Sequence, residues 1–175
     1  MFGNKKEGVI TFYYESNDLF NDVGILSAYL AKNIMAESAV DKYSITDDEK
    51  ELYEACLKQA VPNIYEAMLK MTSGVENAFD TNVLVTSKED GIERNTGTYV
   101  EFSIVDAGGY NKNVLSIVDT TLNTCLKYGI LAEFYSICLN ADLYRIAQDR
   151  FTNSLFNLKQ RMFQLKKRTT YSELA

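Results

Sequence analysis

There is no histidine in these 175 residues, and that absence closes off Ser/His and Cys/His nucleophilic pairs together with the zinc sites that use imidazole. Neither a G-x-x-x-x-G-K-S/T loop nor a G-x-G-x-x-G turn occurs, so nucleotide hydrolysis and dinucleotide chemistry have no support. Cysteine is scarce: Cys56, Cys125 and Cys138 form no close pair and no metal-ligand spacing. They fall at apolar positions of predicted helices and read as buried, reduced thiols, which suits assembly in a cytosol. No long hydrophobic run is unbroken. The most apolar stretch, 114–143, is interrupted by Asp119, Lys127, Glu133 and Asp142, which makes it a core helix and not a bilayer span. Met1 to Glu7 carries two lysines, but only a short alternating run follows, so no export signal is expected.

What remains for chemistry is carboxylate, because two-metal and glycosidase sites work with acidic residues alone. The densest group, Asp47, Asp48, Glu49 and Glu51, is accounted for by a helix start, where capping and the positive end of the helix dipole favour acids. We therefore expect no catalytic residue, no metal and no cofactor. Twelve tyrosines and nine phenylalanines could stack on bases, yet their helical and strand spacing points to core packing.

The periodicity predicts a mainly α chain with a small β-hairpin, a helical bundle ending in two long helices, and a single domain over 1–175. The β-prone run Val9–Tyr14 makes 1–17 an N-terminal arm or strand. A first helix from Asp18 or Asp22 to about Met35 should turn Val23, Leu26, Tyr29, Leu30 and Ile34 inward. Thr46-Asp47-Asp48-Glu49 is a capping box opening a second helix, with Leu52, Cys56, Ile64, Ala67, Met68 and Met71 inside. The only proline, Pro62, should kink or break it near Ala60 to Pro62. Alternating runs Val83–Thr86 and Tyr99–Val105 predict a hairpin over 82–105, its polar tip rich in turn formers. The third helix should face inward with Val114, Ile117, Val118, Leu122, Cys125, Gly129, Ala132 and Ile137. Asn140-Ala141-Asp142 should make a turn, or only a bend, before the fourth.

That fourth helix carries a stripe, Tyr144, Ala147, Phe151, Leu155, Leu158, Met162 and Leu165, whose alternating spacings of three and four set one face against a partner surface. We take Phe151, Leu155, Leu158, Met162 and Leu165 as subunit-interface candidates, with Tyr13 and Tyr14 from the N-terminal run. Between 142 and 168 there are seven basic and two acidic residues, a net +5 in a chain of net −6, so the remainder carries −11. Cations at a helix C-terminus complement its free carbonyls without any partner. The other reading is a docking surface for an acidic partner, a second copy or another protein. Duplex DNA fits less well, because the field of the rest of the chain repels phosphates.

In this element order the chain resembles the small helical adaptors that form the head-to-tail connector of tailed bacteriophages. The residues that carry the resemblance are the acidic-capped helix Thr46–Thr72, the hairpin Val83–Val105, and the pair of helices over Asn113–Arg168, with the run Leu126-Lys127-Tyr128-Gly129-Ile130-Leu131-Ala132-Glu133-Phe134-Tyr135 in the first and Leu165-Lys166-Lys167-Arg168 closing the second. The resemblance implies a non-enzymatic virion protein, assembled in the host cytoplasm and placed at the head-tail junction. It would form a homo-oligomeric ring that joins portal to tail or neck proteins, pass DNA through its lumen without sequence-specific binding, and have no membrane partner. In such adaptors a loop or terminus reaches the neighbouring ring. Carried onto this chain, the docking candidates are Lys88, Glu89, Asp90 and Arg94 at the hairpin tip, and Lys166, Lys167, Arg168 and Tyr171 in the tail 166–175. Two competing expectations come from other classes: a small regulatory or nucleic-acid-binding protein using the basic C-terminal helix, and a metal-dependent enzyme built on Asp47 to Glu51.

Overall fold

Alternation over Val9–Tyr14 places Ile10, Phe12 and Tyr14 on one face of an extended segment. In the computed structural model, which describes residues 2–4, 9–35, 37–69, 79–86, 98–105 and 112–165, that segment is an inner strand. Strands β1 (Phe2–Asn4), β2 (Val9–Glu15), β3 (Phe79–Thr86) and β4 (Thr98–Val105) form one antiparallel sheet in the order β1-β2-β4-β3. The register sets Ile10 against Ile104, Phe12 against Phe102 and Tyr14 against Val100, all six buried. The predicted hairpin is therefore present as β3 and β4, with a register shift between Val83 and Val85. The N-terminal strand extends it, because its own apolar face must be covered by the same core.

Four helices pack with this sheet: α1 (Ser16–Ile34), α2 (Lys50–Leu69), α3 (Lys112–Ile137) and α4 (Ala141–Leu165). The chain is mainly α, with two long C-terminal helices that share its most extensive contacts. Among the described residues no helix is long and apolar enough to cross a membrane.

Helix α1 starts earlier than its charges suggest. Its inner face is Ser16, Leu19, Phe20, Val23, Ser27 and Ala31, while Tyr29 and Ile34, expected inside, are exposed. Ser27 explains the rotation. Its hydroxyl donates to the Gly24 carbonyl at 2.7 Å and accepts from Ile45 N–H at 2.8 Å, and its carbonyl accepts from the Tyr135 hydroxyl at 3.3 Å. A polar residue thus becomes the anchor of three elements. Gly24 belongs to the same contact, since a Cβ there would meet the Ile45 carbonyl oxygen at 3.0 Å.

Thr46 starts the next helix as expected. Its N–H donates to the Glu49 carboxylate at 2.8 Å, its hydroxyl binds the same carboxylate, and the 3-10 turn Asp47–Glu49 leads into α2. The break expected at Pro62 does not occur, and α2 runs through it. Proline removes one hydrogen bond from a helix, but here Pro62 and Asn63 face solvent while Ala60, Val61 and Ile64 are fully buried. Packing on the inner side holds the turn together.

Helices α2, α3 and α4 meet at Gly129, where a Cβ would lie 3.1 Å from both Ala60 Cβ and Phe151 Cε2. The remaining inner face of α3 is broader than the stripe that periodicity assigns. Leu115, Leu126, Ile130, Leu131, Phe134 and Tyr135 are buried, whereas Ile117 and Ile137 are exposed. A helix covered by neighbours on several sides cannot be read from a single stripe.

Tyrosine serves this core as a ring with a polar end. The Tyr14 hydroxyl lies 2.9 Å from both the carbonyl and Oδ1 of Asp119, tying β2 to α3, and the Tyr53 hydroxyl donates to the Ser16 carbonyl at 3.0 Å. Phe20 and Tyr53 pack edge to face at 5.0 Å. Such rings supply apolar area, and their hydroxyls find partners when buried.

Candidate assembly surfaces

The stripe of α4 is covered by the chain itself. Ala147, Phe151, Leu158, Met162 and Leu165 are buried, Leu155 is half-buried against the same core, and only Tyr144 is exposed. The partner surface inferred from the spacing is α3, with a smaller contribution from α2. Tyr14 is likewise an internal residue, while Tyr13 is half-buried at the surface. The hairpin tip with Lys88, Glu89, Asp90 and Arg94, and the tail with Lys166, Lys167, Arg168 and Tyr171, lie outside the described residues.

Apolar side chains that do face outward sit elsewhere. On α4, Phe156 and Phe163 are 61% and 63% exposed; seven residues apart, they occupy one outer face, two turns from each other. On α1, Ile25 and Tyr29 are 72% and 63% exposed, one turn apart. A third group forms the corner between α3 and α4, with Ile137, Leu139 and Tyr144.

This corner is tight. Asn140 N–H returns to the Tyr135 carbonyl at 3.1 Å and Leu139 N–H to the Ser136 carbonyl at 3.2 Å, the bond pair of a Schellman helix end. Asn140 then caps the next helix, its Oδ1 accepting from Leu143 N–H at 3.0 Å. Glycine normally fills the left-handed position of such a motif. Here Leu139 does, with φ of 53°, and its side chain is 90% exposed. Beside it, Tyr135, Ser136, Asn140, Ala141 and Tyr144 line a shallow depression of about 250 Å³.

A second concavity, of about 390 Å³, lies where β2 runs into α1. Tyr13, Tyr14 and Tyr99 supply its aromatic walls, with Leu19 and Asn123, and Glu15, Asp18 and Asp22 line it with carboxylate. The geometry follows from sequence adjacency: β2 ends at Glu15 and α1 begins at Ser16, so strand tyrosines and first-turn acids share one rim. Asp22 is paired with Lys127, Nζ to Oδ2 at 2.6 Å.

The described thiols are held neutral. Burial pushes Cys56 and Cys125 up to about 12, and Cys138 is raised by the same cause. Weak thiolate character makes them poor nucleophiles. Burial also raises Tyr53, to about 12, and raises Tyr14 and Tyr135. Asp47, Asp48, Glu49 and Glu51 remain at the start of α2, and among the described residues no three acidic or thiol groups converge as a metal-ligand set.

Sequence reasoning missed Phe156, Phe163, Ile25 and Leu139 as surface features. The first two had a signal: they are apolar, seven apart and off the stripe of their own helix. No protein-family model, curated protein or solved structure matches this chain.

Proposed function

We propose that this chain is a non-enzymatic structural subunit that assembles with copies of itself into a ring, as a head-to-tail connector of a tailed bacteriophage does, joining portal to tail and passing DNA through the lumen. The observation that carries the reading is the pair of outward apolar faces on different helices, Phe156 with Phe163 on α4 and Ile25 with Tyr29 on α1. Single exposed apolar residues are ordinary, but paired ones repeated along a helix face favour contact. Two unlike patches on one subunit suit a heterologous contact, which closes into a ring when the rotation per subunit divides a full turn. The charge pattern is compatible, since an acidic body lining a lumen would not trap DNA.

Native mass spectrometry of the purified protein, alone and mixed with the portal protein encoded nearest its gene, tests the proposal. A closed ring, or a complex that forms with the portal, is the expected result. A monomer indifferent to the portal would overturn it, and salt-dependent DNA binding by that monomer would favour the nucleic-acid-binding alternative.

A further inference from the structure

We propose that the outward face of α1 in one copy packs antiparallel on the outward face of α4 in the next copy, with Ile25 on Phe156, Lys32 on Asp149 and Asp22 on Lys159. The inference rests on the assembly reading above and supplies the contact which that reading requires. It starts from spacing. On α1 the exposed residues Asp18, Asp22, Ile25, Tyr29 and Lys32 alternate steps of four and three. On α4 the same rhythm runs through Asp149, Thr152, Phe156, Lys159 and Phe163, all exposed except the half-buried Lys159. Each helix thus carries, on the side away from the core, a seam of the kind along which two helices pack in layers. The inner stripe of α4 is already taken by α3; this outer one lies on the opposite side of the helix.

Phase and charge fix the direction. Two such seams run antiparallel when a position followed by a step of three faces one followed by a step of four, and Phe156 and Ile25 are positions of those two kinds. Setting Ile25 on Phe156 then aligns the whole of both seams: Tyr29 meets Thr152, Lys32 meets Asp149, and Asp22 meets Lys159. Opposite charges face each other in both charged layers. The end layer, Phe163 with Asp18, is at the rim, where the carboxylate stays in water. A parallel pairing in matched layers sets Asp22 on Asp149 and Lys32 on Lys159, two like-charge contacts. Pairing α4 in parallel with its own copy repeats the fault, since Asp149 and Lys159 then meet themselves.

The subunit does not consume these charges. Among the described residues Lys32, Asp149 and Lys159 are in no ion pair. Asp22 binds Lys127 at 2.6 Å, yet its side chain remains 50% exposed, which leaves an outer side for a second ammonium. A two-fold pair made from α1 alone or α4 alone would leave the other apolar face in water. The unlike pairing covers both, and it is head to tail, the polarity that a ring requires.

Sedimentation velocity of the full-length protein, alone and with the portal protein, tests the contact. Lys32→Glu and Asp149→Lys change exposed positions, and matching thermal melts would show that the fold is intact. Each should weaken assembly about tenfold by placing like charges in one layer. Both changes in one chain should restore it, because the layer is then reversed and not broken. Ile25→Ser and Phe156→Ser should each weaken assembly at least as much, and their joint effect should fall short of the product of the two, since they remove one shared contact. If assemblies form and Asp149→Lys leaves them unchanged, or the double charge change fails to restore them, the contact is overturned while the connector reading stands; a loss caused by Lys32→Glu alone identifies a two-fold α1 pair instead. If loss and rescue follow the expected pattern in open filaments that ignore the portal, the contact stands and the connector reading fails. A wild type that stays monomeric with and without the portal overturns both.

Discussion

Replacing Leu139 by glycine should make the isolated subunit more stable, although it deletes a large apolar side chain. Leu139 holds φ at 53°, a conformation that costs a side-chain-bearing residue about 1–2 kcal/mol. Glycine adopts it without that cost but gains freedom in the unfolded chain, a counter-term of about 0.5–1 kcal/mol. Burial adds almost nothing, because the side chain is 90% exposed. The balance runs from neutral to a gain of about 1.5 kcal/mol, which in a chain of this size raises the melting temperature by up to about 6 °C. Both bonds of the corner are made by backbone, so the substitution leaves them intact. Urea unfolding followed by circular dichroism, at concentrations where the protein is dissociated, measures the difference, with Leu139→Val as the opposite control, since a β-branched residue is worse at positive φ. A loss of 1 kcal/mol or more in the glycine variant would refute the reasoning, because it would mean that Leu139 is packed in the subunit.

Four further outcomes follow from the packing. Gly129→Val should cost at least about 2 kcal/mol, because even the first added carbon lies 3.1 Å from Ala60 and Phe151 on two other helices; a neutral result in a chemical melt would show that the three-helix crossing is loose. Pro62→Ala should stabilise α2 by about 1–3 kcal/mol by restoring a backbone bond on its exposed side, and destabilisation would mean that the helix is built around the proline. Phe156→Ser with Phe163→Ser should leave the monomer within about 0.5 kcal/mol of wild type and weaken assembly, whereas Phe151→Ala should cost about 3–5 kcal/mol of fold stability; equal effects on folding would refute the division into inner and outer faces. Stability should fall at alkaline pH. Cys56, Cys125 and Tyr53 are raised to about 12 in the fold, so their contribution is complete below the unfolded values of about 8.5–10 and is lost as pH climbs from there through 12. A flat stability profile between pH 8 and 11 would contradict the burial of these groups.

Much of the architecture was legible because its signals are local. The capping box at Thr46, the alternation of Val9–Tyr14 and of Tyr99–Val105, and the 3-4 spacing of α4 each depend on a few neighbouring residues, and each became the expected kind of element. The failures are all failures of context. Pro62 read as a breaker because its cost is local, whereas the burial of Ala60, Val61 and Ile64 that outweighs it involves other helices. Tyr29 and Ile34 read as inner because apolar spacing in α1 fits two faces, and the face was chosen by Ser27, a polar residue whose three hydrogen bonds reach Gly24, Ile45 and Tyr135. Of the subunit-interface candidates, Tyr13 and Tyr14 line the cleft at the β2–α1 junction, and the cleft itself combines β2, α1, β4 and α3, which no stretch of sequence spells out.

The α4 stripe shows why an apolar seam does not by itself announce an oligomer. A seam of threes and fours has the same spacing whether the opposing helix belongs to the same chain or to another. What separates the cases is whether the chain has a helix of its own to lay on it, and here α3 meets that requirement, joined to α4 by a turn of three residues, Cys138, Leu139 and Asn140. Once α3 has covered the stripe, only apolar groups that no internal element can reach remain available to a partner. Among the described residues the most exposed of these are Phe156 and Phe163 on the far side of α4, Ile25 and Tyr29 on the far side of α1, and Leu139 at the corner. Contact between copies is therefore sought on the residues that break the intramolecular pattern, because the residues that obey it are already used.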